Sequence, residues 1–238
     1  MQRFDRGIIM EPIVLIPGLL CTETLFAPQI VALADRPVMV ANHRDHDTIP
    51  AIAASILAAA PERFALAGLS MGGYVAMEIM RQAPQRVSRL ALLDTSPKPD
   101  APEQGERRRV LIGLAESGKF SKVPHLLYPG LVDASRLEDE GLKSVVVEMA
   151  TDTGPETFVR QQTAIMGRVD SRPFLAAIAT PTLVLVGEGD TLTPPAIARE
   201  MHDAIAGSRL AVLPGCGHLS TLEAPGAVTA ELQAWLQA

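Results

Sequence analysis

Short apolar runs alternate with alanine-rich, helix-spaced stretches, and this rhythm constrains the fold more than any other feature of the chain. The runs are Pro12–Ile16, Val38–Ala41, Phe64–Ala67 and Leu90–Leu93; the clearest helical stretches are Ile49–Ala60 and Tyr74–Ala83, stopped by Pro61 and Pro84. Runs that are apolar at every position describe strands covered on both faces. One helix between successive strands describes parallel neighbours joined by right-handed crossovers. Over 98–172 the rhythm breaks into residues of mixed charge that predict helices without strands, at Glu106–Ser117, Ser121–Leu127, Ser135–Ala150 and Glu156–Met166, with turns at Gly118, Pro129-Gly130 and Gly154-Pro155. It then resumes with strands at Thr182–Val186 and Leu210–Leu213 and helices at Pro194–Ala206 and Pro225–Gln237. The expectation is an α/β core built from residues 1–97 and 173–238, with 98–172 inserted as a helical lid.

Composition narrows the function classes. A chain of 238 residues with 47% hydrophobic and 20% charged residues has ample apolar surface to offset its ordering entropy. Net charge is 21 − 27 = −6 and aromatics are 4%, which argues against nucleic-acid binding: neither a basic footprint nor stacking platforms are provided. No run approaches the ~20 apolar residues needed to span a bilayer. Met1–Met10 sets Asp5 between Arg3 and Arg6 and carries only the short apolar stretch Gly7-Ile8-Ile9-Met10, so no secretory leader is expected, and Met10 is an alternative start. Cys21 and Cys216 belong to no Cys-x-x-Cys pair and read as two reduced thiols in a cytoplasmic chain.

The chemistry is concentrated in Gly68-Leu69-Ser70-Met71-Gly72, a G-x-S-x-G run between a strand and a helix. That context makes a sharp turn with the serine at its tip and glycines where side chains would collide. It also brings the Met71 N–H to a helix N-terminus, where free donors favour negative charge. A serine needs a base oriented by a third group. Of five histidines, His202 lies on a polar helix face, His125 in the inserted block, and His43 and His46 in the loop after the second strand beside Asp45 and Asp47. This last group lacks a ligand set at metal-site spacing. His218, in Pro214-Gly215-Cys216-Gly217-His218, follows the last strand and so falls on the same sheet edge as Ser70. For the acid, Asp190 follows the penultimate strand, Asp94 is its rival after the strand preceding the insertion, and Glu188 is a weaker alternative.

With Ile16-Pro17-Gly18-Leu19-Leu20, Gly68–Gly73, Gly187-Glu188-Gly189-Asp190 with Thr193-Pro194, and Gly217-His218 with Leu222-Glu223-Ala224-Pro225, the chain resembles compact, lid-bearing bacterial α/β-hydrolase fold enzymes over nearly all of its length outside the lid. The resemblance implies a three-layer fold with about six mostly parallel strands, helices on both faces, and a lid inserted after the strand ending near Leu93. It implies a Ser70–Asp190–His218 triad in that chain order, and an oxyanion hole made by the Leu19 and Met71 N–H groups. Pro17-Gly18 stands where the family usually has His-Gly, and Arg44-Asp45-His46-Asp47 keeps the Arg and His, without the glycines, of the family's Arg-Gly-His-Gly loop.

The activity implied is hydrolysis of carboxylic esters with small or medium acyl groups, through an acyl-enzyme and without metal or organic cofactor. Two other readings stay open: an enol-lactonase or carbon–carbon bond hydrolase, which shares the Ser-Met-Gly-Gly run, and a slow-turnover small-molecule receptor that retains the triad. An arginine facing the pocket would favour the first of these. Leu20, beside the oxyanion loop, and Tyr128, with Leu126, Leu127 and Leu131, are candidates for the pocket wall. The expected partner is a small ester or lactone, with no nucleic acid and no membrane.

Overall fold

Strands whose every residue is apolar must be covered on both sides, and the computed structural model, which describes residues 10–237, shows how this is done. The stretch Gly7-Ile8-Ile9 lies outside the described residues. In chain order the elements are β1 (Ile13–Ile16), a 3-10 turn (Glu23–Phe26), α1 (Ala27–Ala32), β2 (Val38–Val40), α2 (Ile49–Ala59), β3 (Phe64–Leu69), α3 (Met71–Gln82) and β4 (Val87–Leu93). The inserted block follows as α4 (Pro102–Glu116), α5 (Val123–Leu131), α6 (Glu140–Thr153), α7 (Pro155–Met166) and α8 (Arg172–Leu175). The chain ends with β5 (Thr182–Gly187), α9 (Pro195–Ala204), β6 (Arg209–Leu213), α10 (Ser220–Glu223) and α11 (Pro225–Gln237).

The six strands form one parallel sheet in the order β2-β1-β3-β4-β5-β6. Successive residues of a strand point to opposite faces, and the apolar layers divide accordingly. Val14, Ile16, Leu66 and Val184 pack with α2, α3 and α9 on one face. Ile13, Leu15, Ala65 and Leu183 pack with Phe26, Leu232 and Trp235 on the other. Strand order reverses between β1 and β3: β1 leads outward to β2, whereas β3 leads the other way to β4. Ligands of open α/β sheets bind at such a switch point, beyond the carboxyl ends of the strands. The loop after β1 and the turn after β3 both open there.

Helices and no strands stand between β4 and β5, as the break in rhythm predicts, but there are five where four were expected, α8 being the addition, and their boundaries differ. α4 starts earlier than expected, at Pro102, since proline suits the first turn, where the N–H has no intrahelical partner. α5 runs through the Pro129-Gly130 turn to Leu131. The carbonyl that Pro129 cannot bond, that of His125, belongs to an exposed residue, where water can serve it. The expected Ser135–Ala150 helix is divided, because Asp139 caps α6 by accepting the Leu142 N–H at 3.0 Å. Leu111, Val123, Ala150 and Phe158 of the block form an apolar cluster with Leu20 of the loop after β1. No helix among the described residues is long and apolar enough to cross a membrane.

Candidate active site

The turn from β3 into α3 leaves Ser70 little freedom. Its backbone has φ 54 and ψ −114, a conformation non-glycine residues rarely adopt. The torsion is held on both sides: the Ser70 N–H donates to the Leu93 carbonyl at 2.9 Å, and the Ser70 carbonyl accepts from the Thr95 hydroxyl at 2.7 Å. The glycines are required by close approach. A Cβ on Gly68 would meet the Gly72 carbonyl, and one on Gly72 the carbonyls of Ile16 and Pro17. α3 can therefore approach the end of β1 only without side chains at these positions.

β6 ends at Leu213, and its loop returns His218 over the sheet edge. His218 Nε2 lies 2.8 Å from Ser70 Oγ, and its Nδ1 lies 2.7 Å from Asp190 Oδ2. Asp190 also accepts the Leu192 and Thr193 N–H groups on Oδ1, at 2.8 and 2.9 Å, and the Thr193 hydroxyl on Oδ2 at 2.6 Å. Burial alone disfavours charge on both partners, but their mutual attraction and hydrogen bonding prevail. The Asp190 carboxyl is held below, and the His218 imidazole above, its ordinary range.

Asp94, the rival acid, is placed otherwise. It is fully buried at φ 43; its Oδ1 accepts the Gly187 N–H at 2.9 Å and its Oδ2 accepts the Ser220 hydroxyl. Burial, then the charge of Asp190, pushes its carboxyl up to about 8. It thus ties together the two loops that carry Asp190 and His218, and His218 hydrogen-bonds to Asp190 instead. Glu188 is exposed. A group the sequence does not single out, Glu223, accepts the Gly217, Leu219 and Asp133 N–H groups at 2.7–3.1 Å and so fixes the His218 loop to the inserted block. Its place in the quoted Leu222–Pro225 run was the available signal.

The loop after β1 carries Leu19 and Leu20. Among the described residues, neither the Leu19 nor the Met71 N–H donates to a protein acceptor. The Gly18 carbonyl is 3.0 Å from His43 Nε2, and the Leu20 N–H donates to Gln161 Oε1 at 3.0 Å. Burial lowers the His43 pKa to about 4, so its ring is neutral. His46 is exposed, and no cluster of metal-ligating side chains occurs among the described residues.

Ser70 and His218 line a cavity of about 490 Å³ that reaches up into the inserted helices. Leu19, Leu20, Leu127 and Leu131 are in its wall; Tyr128 is not. The expected place of Tyr128 is corrected: the ring is buried in the apolar layer below, and its hydroxyl donates to the carbonyls of Arg136 and Asp139 at 2.8 and 3.1 Å. The wall also carries Lys98, Arg107, Arg108 and Arg168 against a single acid, Glu103. Arg108 and Arg168 both bind Asp100, Lys98 pairs with Glu200 at 2.6 Å, and Arg168 stacks over Tyr74 at 4.4 Å.

Comparison with known proteins agrees with this architecture. Residues 13–232 match the sequence profile of the alpha/beta hydrolase family. Among curated proteins, the chain is 32% identical over 190 residues to a pimeloyl-[acyl-carrier protein] methyl ester esterase of Pectobacterium carotovorum, covering 77% of this chain and 74% of that one. Among solved structures, it superposes with a TM-score of 0.87 on a thermophilic esterase from Thermogutta terrifontis bound to malate, at 28% identity over 96% of this chain and 90% of that one. An enol-lactonase from Burkholderia xenovorans gives a TM-score of 0.88 at 26% identity, over 98% and 94% of the two chains. With the six-stranded parallel sheet, the strained serine turn and a profile match over most of its length, the chain belongs to the alpha/beta hydrolase family.

Proposed function

We propose that this hydrolase cleaves carboxylic esters of small or medium acyl groups through an acyl-enzyme on Ser70, with the inserted helices acting as its lid. The observation that carries the reading is the unbroken hydrogen-bonded chain Ser70 Oγ–His218–Asp190, which borders a cavity of about 490 Å³ with a mainly apolar lining. Ser70 Oγ attacks the carbonyl carbon while His218 Nε2 takes its proton, and Asp190 fixes the ring and stabilises the imidazolium. The Leu19 and Met71 N–H groups receive the oxyanion, each worth about 3–4 kcal/mol if well placed. His218 returns the proton to the departing alkoxide oxygen. Water, activated by the same imidazole, then cleaves the acyl–Ser70 bond.

A second reading is favoured by the cationic wall. Lys98, Arg107, Arg108 and Arg168 suit a substrate that carries a carboxylate at the end remote from the reacting carbonyl, as an enol-lactone acid or a carbon–carbon cleavage substrate does. The pairing of Arg108 and Arg168 with one Asp100 leaves a net positive charge there even in the empty cavity.

Both readings are tested with p-nitrophenyl esters of graded acyl length beside the corresponding half-esters of dicarboxylic acids, each with a Ser70→Ala control. Ser70-dependent turnover with a chain-length optimum supports the esterase. A preference for half-esters that is lost in Arg107→Gln supports the second reading. Tight ligand binding with negligible turnover of either series points to a receptor.

A further inference from the structure

The loop that carries the Leu19 N–H is held from two independent parts of the molecule. From the core, the neutral His43 donates Nε2–H to the Gly18 carbonyl at 3.0 Å, and the Cys21 N–H donates to the same oxygen at 3.1 Å. A peptide unit is planar and trans, so its C=O and N–H point in opposite directions. Fixing the Gly18 oxygen therefore fixes the Leu19 N–H. From the inserted block, Gln161 of α7 reaches across 141 residues of sequence to accept the Leu20 N–H at 3.0 Å. Leu20 lies between the two holds at φ 59, where leucine is strained and stays only if its surroundings keep it there.

Gln161 has no other evident use. It is fully buried, and its Nε2 finds no partner among the described residues, an expensive arrangement for an amide. Its neighbour Gln162 accepts Arg108 Nη1 at 2.7 Å, so adjacent glutamines tie α7 to the loop on one side and to α4 on the other. The His43 hold belongs to the sheet core, whereas the Gln161 hold depends on how the inserted helices are seated.

We infer that Gln161 is a positioning residue that couples the seating of α7 to the oxyanion donor on Leu19. With α7 in place, Leu20 is kept at positive φ and the Leu19 N–H is presented above Ser70. Without the Gln161 hold, Leu20 is free to relax, the Leu19 N–H is held from the core alone, and it is presented less well above Ser70. This inference rests on the acyl-transfer reading of Ser70, but its test does not require turnover.

The experiment compares Gln161→Met, which keeps length and removes the strong acceptor, with Gln161→Glu, which keeps an acceptor oxygen. Against the best ester found, Gln161→Met should lower kcat about 10- to 100-fold, part of the loss known for removal of one oxyanion donor, with KM within about threefold of wild type. A trifluoromethyl ketone, which forms a tetrahedral adduct on Ser70, should lose affinity by the same factor, while the matching methyl ketone should not. Gln161→Glu should recover most of both. Should Gln161→Met fail to fold, Gln161→Leu replaces it. If no ester is turned over, the rate at which a fluorophosphonate labels Ser70 reads the same hole: the ester reading then fails while slower labelling in Gln161→Met upholds the tether. Unchanged kcat and labelling, or equal losses for the two ketones, would overturn it.

Discussion

At the scale of single residues, the proposed mechanism depends on a carboxylate that stays charged and an imidazole that can accept a proton. Two buried aspartates stand near that imidazole, in opposite surroundings. Asp190 receives three hydrogen bonds besides that of His218 and is held low; Asp94 is buried beside another acid and is pushed up to about 8. Asp190→Asn should therefore reduce kcat by about 10⁴, as loss of the orienting acid does in such triads, because the wrong tautomer is favoured. Asp94→Asn keeps an acceptor for the Gly187 N–H and should cost far less; steady-state kinetics of the two variants decide, and the reverse order transfers the acid role. The pH profile carries a second expectation. The proposed mechanism needs neutral His218, and Asp190 raises its pKa above the ordinary 6.5 against the effect of burial. The acid limb of kcat/KM should thus fall above pH 6.5, with activity rising as the proton leaves. In Asp190→Asn, burial acts with one less opposing charge, and the residual activity should show its acid limb at lower pH.

At the scale of elements, close approach of backbones decides which positions tolerate change. Gly72 lets α3 meet the end of β1, whereas Gly113, in the middle of α4, has open space where a Cβ would stand. Gly72→Ala should lower the thermal midpoint and kcat together. Gly113→Ala should raise stability by about 0.5–1 kcal/mol through reduced backbone entropy; thermal unfolding of the pair checks both. This contrast also marks what the sequence discloses. The Gly-x-Ser-x-Gly run is legible because its geometry is local: strand, turn and helix are contiguous. Strands apolar at every position are legible for a similar reason: five of the six were readable within a residue or two, whereas β4 starts three residues before the expected run, at Val87, because Ser88 and Arg89 interrupt its apolar pattern. The inserted helices were legible as helices but not in extent, because Pro129 is tolerated inside α5 and Asp139, in the acidic run Glu138–Glu140, caps α6 within the stretch expected as one helix. Gln161 could not be found, since its partner lies 141 residues away and a polar residue on a helix ordinarily faces solvent.

At the scale of the whole molecule, one sheet edge collects groups from residues 19 to 218. In the proposed mechanism β1 supplies the donor loop, β3 the serine, β5 the acid and β6 the base, and α4 to α7 build the upper wall of the cavity. The pairing of Asp190 with His218 was decided at this scale: its place after the penultimate strand favoured Asp190, and the register of β5 beside β6 brings the two loops together. Tyr128 illustrates the converse, because whether an aromatic of the insertion faces a cavity or the layer beneath depends on how the helices settle on the sheet. The same packing encloses both thiols. Cys21 is pushed up to about 12 and Cys216 higher still by burial. Iodoacetamide should leave both unlabelled in the native protein and alkylate both after denaturation, with mass spectrometry as the readout. Burial thus shields the triad from the thiol chemistry that the proximity of Cys216 to His218 would otherwise invite.

The proposed mechanism requires Ser70 to be a nucleophile that His218 activates, and covalent labelling tests this without knowledge of the substrate. The native protein is treated with a fluorophosphonate and the adduct located by peptide mass spectrometry. The account predicts a single adduct on Ser70, absent in Ser70→Ala and formed at least about 10³-fold more slowly in His218→Ala. An adduct on another residue, or undiminished labelling in either variant, would contradict it.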